Sequence, residues 1–170
     1  QVQGTGKYID IGCNKCYLLA QGLEKGLDVY GCELVPELTA PFLNSHKQCR
    51  DHVHQGRFMD MRPQFANNTF DLITAIDVIE HFEDVIADLN GILEILKPGG
   101  AFVIQTPDVD CQQAKQNGCD WGALKPLEHL HLFNLSNLTT LAKRIGFSEV
   151  IGVDEVFEEA DGNFVAILRK

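Results

Sequence analysis

Two short clusters in the chain combine acids and imidazoles at a spacing that can do chemistry. Asp77-Val78-Ile79-Glu80-His81 brings two carboxylates and a histidine together, and Glu128-His129-Leu130-His131 brings a carboxylate and two histidines. An imidazole titrates near neutrality, so His81 or His129 can take a proton from an acceptor hydroxyl or orient it. Two histidines with a carboxylate can also bind a metal, but this spacing fixes no coordination geometry, and no metal is assigned. A plainer reading of the first cluster is a helix start, with Glu80, Glu83 and Asp84 at the positive end of the helix dipole.

A second kind of site is written at the start of the chain. Tyr8-Ile9-Asp10-Ile11-Gly12-Cys13-Asn14-Lys15-Cys16 reads as a buried strand, a glycine turn and a helix N-terminus, where a ligand can approach bare backbone. A dinucleotide fingerprint would need three spaced glycines, and only Gly12 is present. Glu33 ends the next strand-like run, about twenty residues on, where a carboxylate accepts the two hydroxyls of a ribose. Asp60 and Met61 follow a third strand at the same edge. There the aspartate can accept from an adenine amino group, the next backbone N–H can donate to a ring nitrogen, and Met61 or Phe58 can cover the ring. Cys13-x-x-Cys16, with Cys32 near in sequence to Glu33, raises zinc or redox chemistry, which no second CxxC supports.

These residues need a scaffold that gathers strand ends. Strand-like and helix-like segments alternate, the pattern of a parallel sheet covered by helices. Strands are expected at Lys7–Cys13, Asp28–Leu34, His52–His54, Phe70–Asp77 and Ala101–Thr106. Helices are expected at Lys15–Lys25 and from Pro36 to about Lys47, then along the apolar face of Phe82, Val85, Ile86, Leu89, Ile92, Leu93 and Leu96. Lys97-Pro98-Gly99-Gly100 should stop that helix. Pro63–Asn68 and Asp108–Leu132 read as irregular, the second long enough to suggest function. Ser136 is the expected N-cap of a helix through Ile145. Phe147–Phe157 and Asn163–Arg169 read as two closing strands joined through Asp161-Gly162.

The chain has 170 residues, 45% of them hydrophobic and 22% charged, as in one soluble globular domain spanning 1–170. No apolar run is long enough to cross a bilayer. The net charge of −10 argues against a nucleic-acid partner. Six cysteines in a chain with a good core read as free thiols in a reducing compartment, which implies a cytoplasmic location. The sequence opens at Gln1 without a methionine and enters its first strand at once, so a fragment is expected. The oligomeric state is open.

Taken together, the motifs resemble the class I S-adenosylmethionine-dependent methyltransferases over nearly the whole chain. Tyr8–Cys13 is similar to the family's first motif, Glu33 to its ribose-binding acid and Asp60 to its adenine-contacting acid. Phe70–Ile73 with Asp77–His81 is similar to the fourth-strand motif, and Leu96–Gly100 to the turn before the fifth strand. Glu128–Phe133 and Ile145–Phe147 resemble small-molecule enzymes near the quinone-biosynthesis O-methyltransferases.

The resemblance implies an α/β, Rossmann-like doubly wound sheet of seven strands, mostly parallel with a C-terminal antiparallel hairpin strand. It implies S-adenosyl-L-methionine as cofactor and a small-molecule methyl acceptor, with O-methylation favoured. Asp10, Gly12, Cys13 and Asn14 would lie near the methionine part, Glu33 and Leu34 at the ribose, Asp60 and Met61 at adenine, and Asp77 beside the methyl group. His81 or His129 would be the base. Two departures stand out. Asn14 and Cys16 replace family glycines, Cys16 where its side chain is expected to crowd the cofactor, and the N-terminal cap helices are expected to be missing. The alternatives are a non-catalytic domain that binds the same nucleoside and, less favoured by the glycine pattern and closing hairpin, a nicotinamide-dependent oxidoreductase.

Overall fold

After Lys7 at its start, Lys7–Ile11 is apolar on both faces apart from Asp10, and such a strand must be covered by other layers on each side. In a computed structural model, which describes residues 5–153 and 162–170, it is β1, an inner strand of a seven-stranded sheet. The other strands are β2 (Asp28–Glu33), β3 (Val53–Gln55), β4 (Phe70–Ile76), β5 (Leu96–Pro107), β6 (Glu149–Val153) and β7 (Asn163–Arg169). Their order across the sheet is β3-β2-β1-β4-β5-β7-β6. The first five pair in parallel, while β7 runs antiparallel to both β5 and β6. The order reverses between β1 and β4, and their carboxyl ends open the crevice where such sheets take ligands.

The helices are α1 (Tyr17–Glu24), α2 (Pro36–Ser45), α3 (Phe58–Met61), α4 (Val85–Ile95), α5 (Gln112–Asn117) and α6 (Leu135–Ile145). On one face of the sheet, Leu89, Ile92 and Ile95 of α4 and Leu138 and Ala142 of α6 bury against Ile9, Ile73, Phe102 and Ile104. On the other, Leu19 of α1 and Phe42 of α2 pack with Tyr8, Val29, Cys13 and Cys16 in a smaller core.

Several expected boundaries move, each for a local reason. The strand expected from Ala101 begins at Leu96, which pairs with Phe70 before a bulge carries Lys97–Gly100 out of register. Phe58–Met61 is a helical turn, with the Asp60 carboxylate accepting from Arg57 N–H across its start, and Arg62–Gln64 adds a 3-10 turn to the expected loop. The last helix is capped by Asn134, not Ser136: Asn134 and Asn137 bond reciprocally across its first turn. The irregular segment after β5 holds α5 and a 3-10 turn at Gly118–Asp120. Of the expected strand Phe147–Phe157, residues Glu149–Val153 form β6, while Phe157 and Asp161 lie outside the described residues.

Asp10 is only 4% exposed, set inside β1 with its carboxyl paired to the Thr74 hydroxyl of β4, which also pairs with the Tyr8 hydroxyl. Burial pushes the Asp10 carboxyl up to about 7 despite the hydrogen bond from Thr74. The folded chain therefore retains a proton that the unfolded chain releases near pH 4. The stability that depends on this neutral carboxyl is complete below about pH 4 and is lost as pH rises through 7. Relative to Asp10→Asn, the wild-type chain should lose about 1.4 kcal/mol of unfolding free energy per pH unit in that window. Denaturant titrations of both proteins from pH 4 to 8 check this, and parallel curves would refute it.

Candidate active site

The turn after β1 is built so that its backbone stays bare. Gly12 has φ +70°, and a Cβ placed there would meet Val78 Cγ2 at 2.5 Å, so a side chain is excluded by both backbone and space. Gly12 N–H and Cys13 N–H both donate to the Cys32 carbonyl, locking the turn to the end of β2. Asn14 and Cys16 follow at φ +46° and +60°. Asparagine enters this left-handed region readily, whereas cysteine does so under strain.

Cys16 does not stand in the crevice as the sequence implies. It is fully buried in the smaller core under α1, with its sulfur 3.7 Å from that of Cys13. The crowding expected of a side chain at this position is relieved by turning it inward.

Glu33 closes the second wall. Its carboxylate accepts from Asn14 N–H at 2.9 Å and from Val35 N–H at 3.0 Å. One acid thus ties the β1 turn to the loop after β2 and is held ready to accept further donors. Beside it Leu34 and Val35 are 63% and 45% exposed, an apolar ledge next to a ribose-type acceptor. Sequence reasoning named Leu34 and missed Val35, although two adjacent apolar residues after a strand-end acid were a usable signal.

Other expected residues divide between crevice and core. Asp60 is exposed at the edge beyond β3. Met61 and Phe58 are 1% and 3% exposed and belong to the main core, so neither side chain offers a face to a ring, and only backbone at Met61 remains for that role. Asp10 lies beneath the turn, inside the sheet, rather than on the crevice surface. Asp77 is exposed at the end of β4 with φ +54°, a left-handed position that aspartate, like asparagine, enters more readily than most residues. Gln105 Nε2 and Asn163 Nδ2 donate to its carboxylate at 3.3 and 3.2 Å. Neither donor was foreseen, because β5 and β7 come beside β4 only in the folded sheet.

The two acid–imidazole clusters meet, although 47 positions separate His81 from Glu128. His81 Nδ1 donates to the Glu128 carbonyl at 2.7 Å, so its Nε2 carries the free lone pair. That Nε2 lies 4.0 Å from Glu80 Oε1, and the His129 ring stands edge-on to His81 with centroids 4.8 Å apart. Buried Glu80 accepts from Thr106 Oγ1 at 2.9 Å, and burial pushes its carboxyl upward. The Glu80 carbonyl accepts from Leu130 and His131 N–H, and His131 Nε2 donates to the Phe82 carbonyl at 2.8 Å. His131 therefore clasps the segment to the loop after β4, while the buried Nδ1 of His129 has no partner among the described residues. Glu80, His81 and His129 each offer a ligand atom within 4.8 Å of the others, a set able to hold a divalent cation. A cavity of about 290 Å³ adjoins His129, lined by Trp121, Lys125, Gln113 and Asn163 among others.

A mostly parallel sheet with a backbone-lined turn, a strand-end acid and an apolar ledge at its strand ends is the kind of α/β domain that takes nucleosides at its switch point. Residues 3–151 match the family model described as a methyltransferase domain, and the chain belongs to that family, within the class I S-adenosylmethionine-dependent methyltransferases. It is similar to a ubiquinone biosynthesis O-methyltransferase of Cereibacter sphaeroides, 30% identical over 106 residues that cover 59% of this chain and 40% of the relative. The chain thus matches well under half the length of such curated relatives. The same-named protein of Idiomarina loihiensis is 23% identical over 96% of this chain and 74% of its own length. A SAM-dependent methyltransferase structure from Archaeoglobus fulgidus superposes with a TM-score of 0.72 at 15% identity, covering 99% of this chain and 87% of that one. Phosphoethanolamine N-methyltransferase 2 of Haemonchus contortus, in complex with S-adenosyl-L-methionine, shares the fold at a TM-score of 0.68 and 18% identity, over 99% and 49%.

If Glu33 both fastens the turn and receives the ribose, Glu33→Ala should weaken S-adenosylhomocysteine binding by roughly 100-fold, the loss of charged hydrogen bonds worth about 3 kcal/mol. Calorimetry measures this. An affinity within a factor of two of wild type would remove Glu33 from the site.

Proposed function

We propose that this domain transfers the methyl group of S-adenosylmethionine to the oxygen of a small-molecule acceptor. The observation that carries the reading is the meeting of His81 and His129, whose rings stand edge-on with centroids 4.8 Å apart just past the end of β4. The cofactor would lie with its methionine part over Gly12, Cys13 and Asn14, its ribose on Glu33, its adenine between the Leu34–Val35 ledge and the Asp60–Met61 backbone, and its methyl beside Asp77. In methyl transfer the acceptor oxygen forms a bond to carbon as the carbon–sulfur bond breaks in line, and the sulfonium leaves as a neutral thioether. Much of the rate comes from alignment. The remaining task is removal of the hydroxyl proton, for which His81 Nε2 is free because Nδ1 is committed to Glu128.

The choice of oxygen and of a small acceptor is supported by the names of the curated relatives and by the size of the cavity at His129. The acidic charge speaks against a nucleic-acid acceptor. Six free thiols support placing the reaction in a reducing cytoplasm, and no helix among the described residues is long and apolar enough to cross a membrane. Residues 1–170 would act as one domain.

A second reading has its own observation. Glu80, His81 and His129 can hold a divalent cation that polarises the acceptor oxygen instead of taking its proton. The paired variant His81→Ala/His129→Ala should lower turnover by roughly 10²–10⁴-fold while leaving S-adenosylhomocysteine affinity intact. Turnover measured against a panel of hydroxylated acceptors, from pH 5 to 9, checks this. An unchanged rate and pH profile would remove both histidines from the chemistry. Dialysis against a chelator separates the two readings: activity that survives it supports the base, and activity lost and restored by magnesium or zinc supports the cation.

A further inference from the structure

The Cys13-x-x-Cys16 pair sits in the backbone turn that the cofactor must use, and its geometry is that of a dithiol one small movement from a bond. Cys16 N–H donates to the Cys13 carbonyl at 2.7 Å, closing a β-turn around Asn14 and Lys15. That closure keeps the two Cα atoms within about 7 Å, close to the separations of about 4.4–6.8 Å that a disulfide spans. The sulfurs are already 3.7 Å apart and in hydrogen-bond contact. Cys16 holds this position only by adopting φ +60° at the start of α1, a conformation that turns its side chain toward Cys13.

The geometry points to a peroxide-sensitive switch in which a Cys13–Cys16 disulfide lowers the affinity of the turn for S-adenosylmethionine. The inference rests on the assignment of this turn to the cofactor. The Cys13 sulfur has little room to move, because it lies 3.0 Å from where a Cβ on Gly31 would stand, against the β2 backbone. The approach from 3.7 Å to a bonding distance of about 2.05 Å therefore falls on Cys16 and the turn residues before it. Asn14 is one of them, and its N–H is the donor that fastens the turn to Glu33. Shifting that amide loosens the carboxylate meant for the ribose and tilts the first turn of α1 over the methionine site.

Chemistry and access favour a small oxidant. Cys13 and Cys16 are 4% and 0% exposed, so a water-sized hydroperoxide reaches them through local opening where a bulky disulfide would not. The two thiols are in hydrogen-bond contact, so a thiolate formed on one is stabilised by the S–H of the other, and Cys16, on which the movement falls, is taken as the nucleophile. The Cys16 thiolate attacks one peroxide oxygen, the O–O bond breaks, and hydroxide leaves and is protonated to water. Cys13 then gives up its proton and attacks the sulfur of the resulting sulfenic acid. The S–S bond forms and a second water leaves. Two thiols are oxidised and one hydrogen peroxide is reduced to two waters.

The test uses the full chain with Cys111→Ser and Cys119→Ser, which removes the two cysteines not fully buried. Calorimetry with S-adenosylhomocysteine is run on reduced protein, after hydrogen peroxide, and after subsequent dithiothreitol, with peptide mapping of the bridge. The expected result is a Cys13–Cys16 link, binding weakened by about tenfold or more and recovery on reduction. A further Cys16→Ser change should leave affinity indifferent to peroxide. A link formed without loss of affinity, or no link between these residues, overturns the switch while leaving the cofactor site standing. Reduced protein that fails to bind overturns the cofactor assignment and the switch with it.

Discussion

The contact of Gly12 with Val78 is the constraint on which the site depends. β1 and β4 are neighbours in the sheet, and their strand ends meet where the order of strands reverses. A Cβ on Gly12 would overlap Val78 Cγ2, so the turn after β1 closes against the end of β4 only with glycine at that point. Val78 lies between Asp77 and the Glu80–His81 cluster, and the close approach therefore brings the backbone of one loop beside the acids and imidazoles of the other. One steric fit thus sets the bare backbone turn next to the acid–imidazole cluster.

Around that fit, polar groups are tied down in pairs that join distant parts of the chain. Glu33 fastens the loop after β2 to the turn after β1, and Asp77 gathers Gln105 and Asn163 from β5 and β7. Glu80 uses its carboxylate on Thr106 and its carbonyl on the segment that carries His129. Each acid has a structural partner before any ligand arrives, which limits the reorganisation needed when one does. The arrangement also holds Asp77 and Cys16, at the ends of the two loops, in left-handed backbone.

The fold was legible because its signals are local. The continuous apolar strand of β4, the helical spacing of α4 and the closing Asn163–Arg169 run each speak through their own residues. The acids at strand ends were legible too, since the sheet fixes where a strand ends. What escaped was set by packing across the chain. The Met61 side chain is expected over a ring because it follows Asp60, yet helical α3 turns it into the core and leaves only its backbone at the edge. Cys16 was read as an obstruction because only its position was visible, not its left-handed backbone. The meeting of His81 with His129 depends on hydrogen bonds from a segment without a period, which no spacing rule encodes.

The central claim is that the cofactor lies across the β1–β4 strand ends with its sulfur facing the histidine pair. The most direct measurement is a crystal structure of the chain with S-adenosylhomocysteine. The account predicts density with the ribose hydroxyls on Glu33, the thioether between the Gly12 turn and Asp77, and an open path from sulfur to His81 and His129. A ligand bound elsewhere on the sheet, or one whose sulfur points away from both histidines, would contradict it.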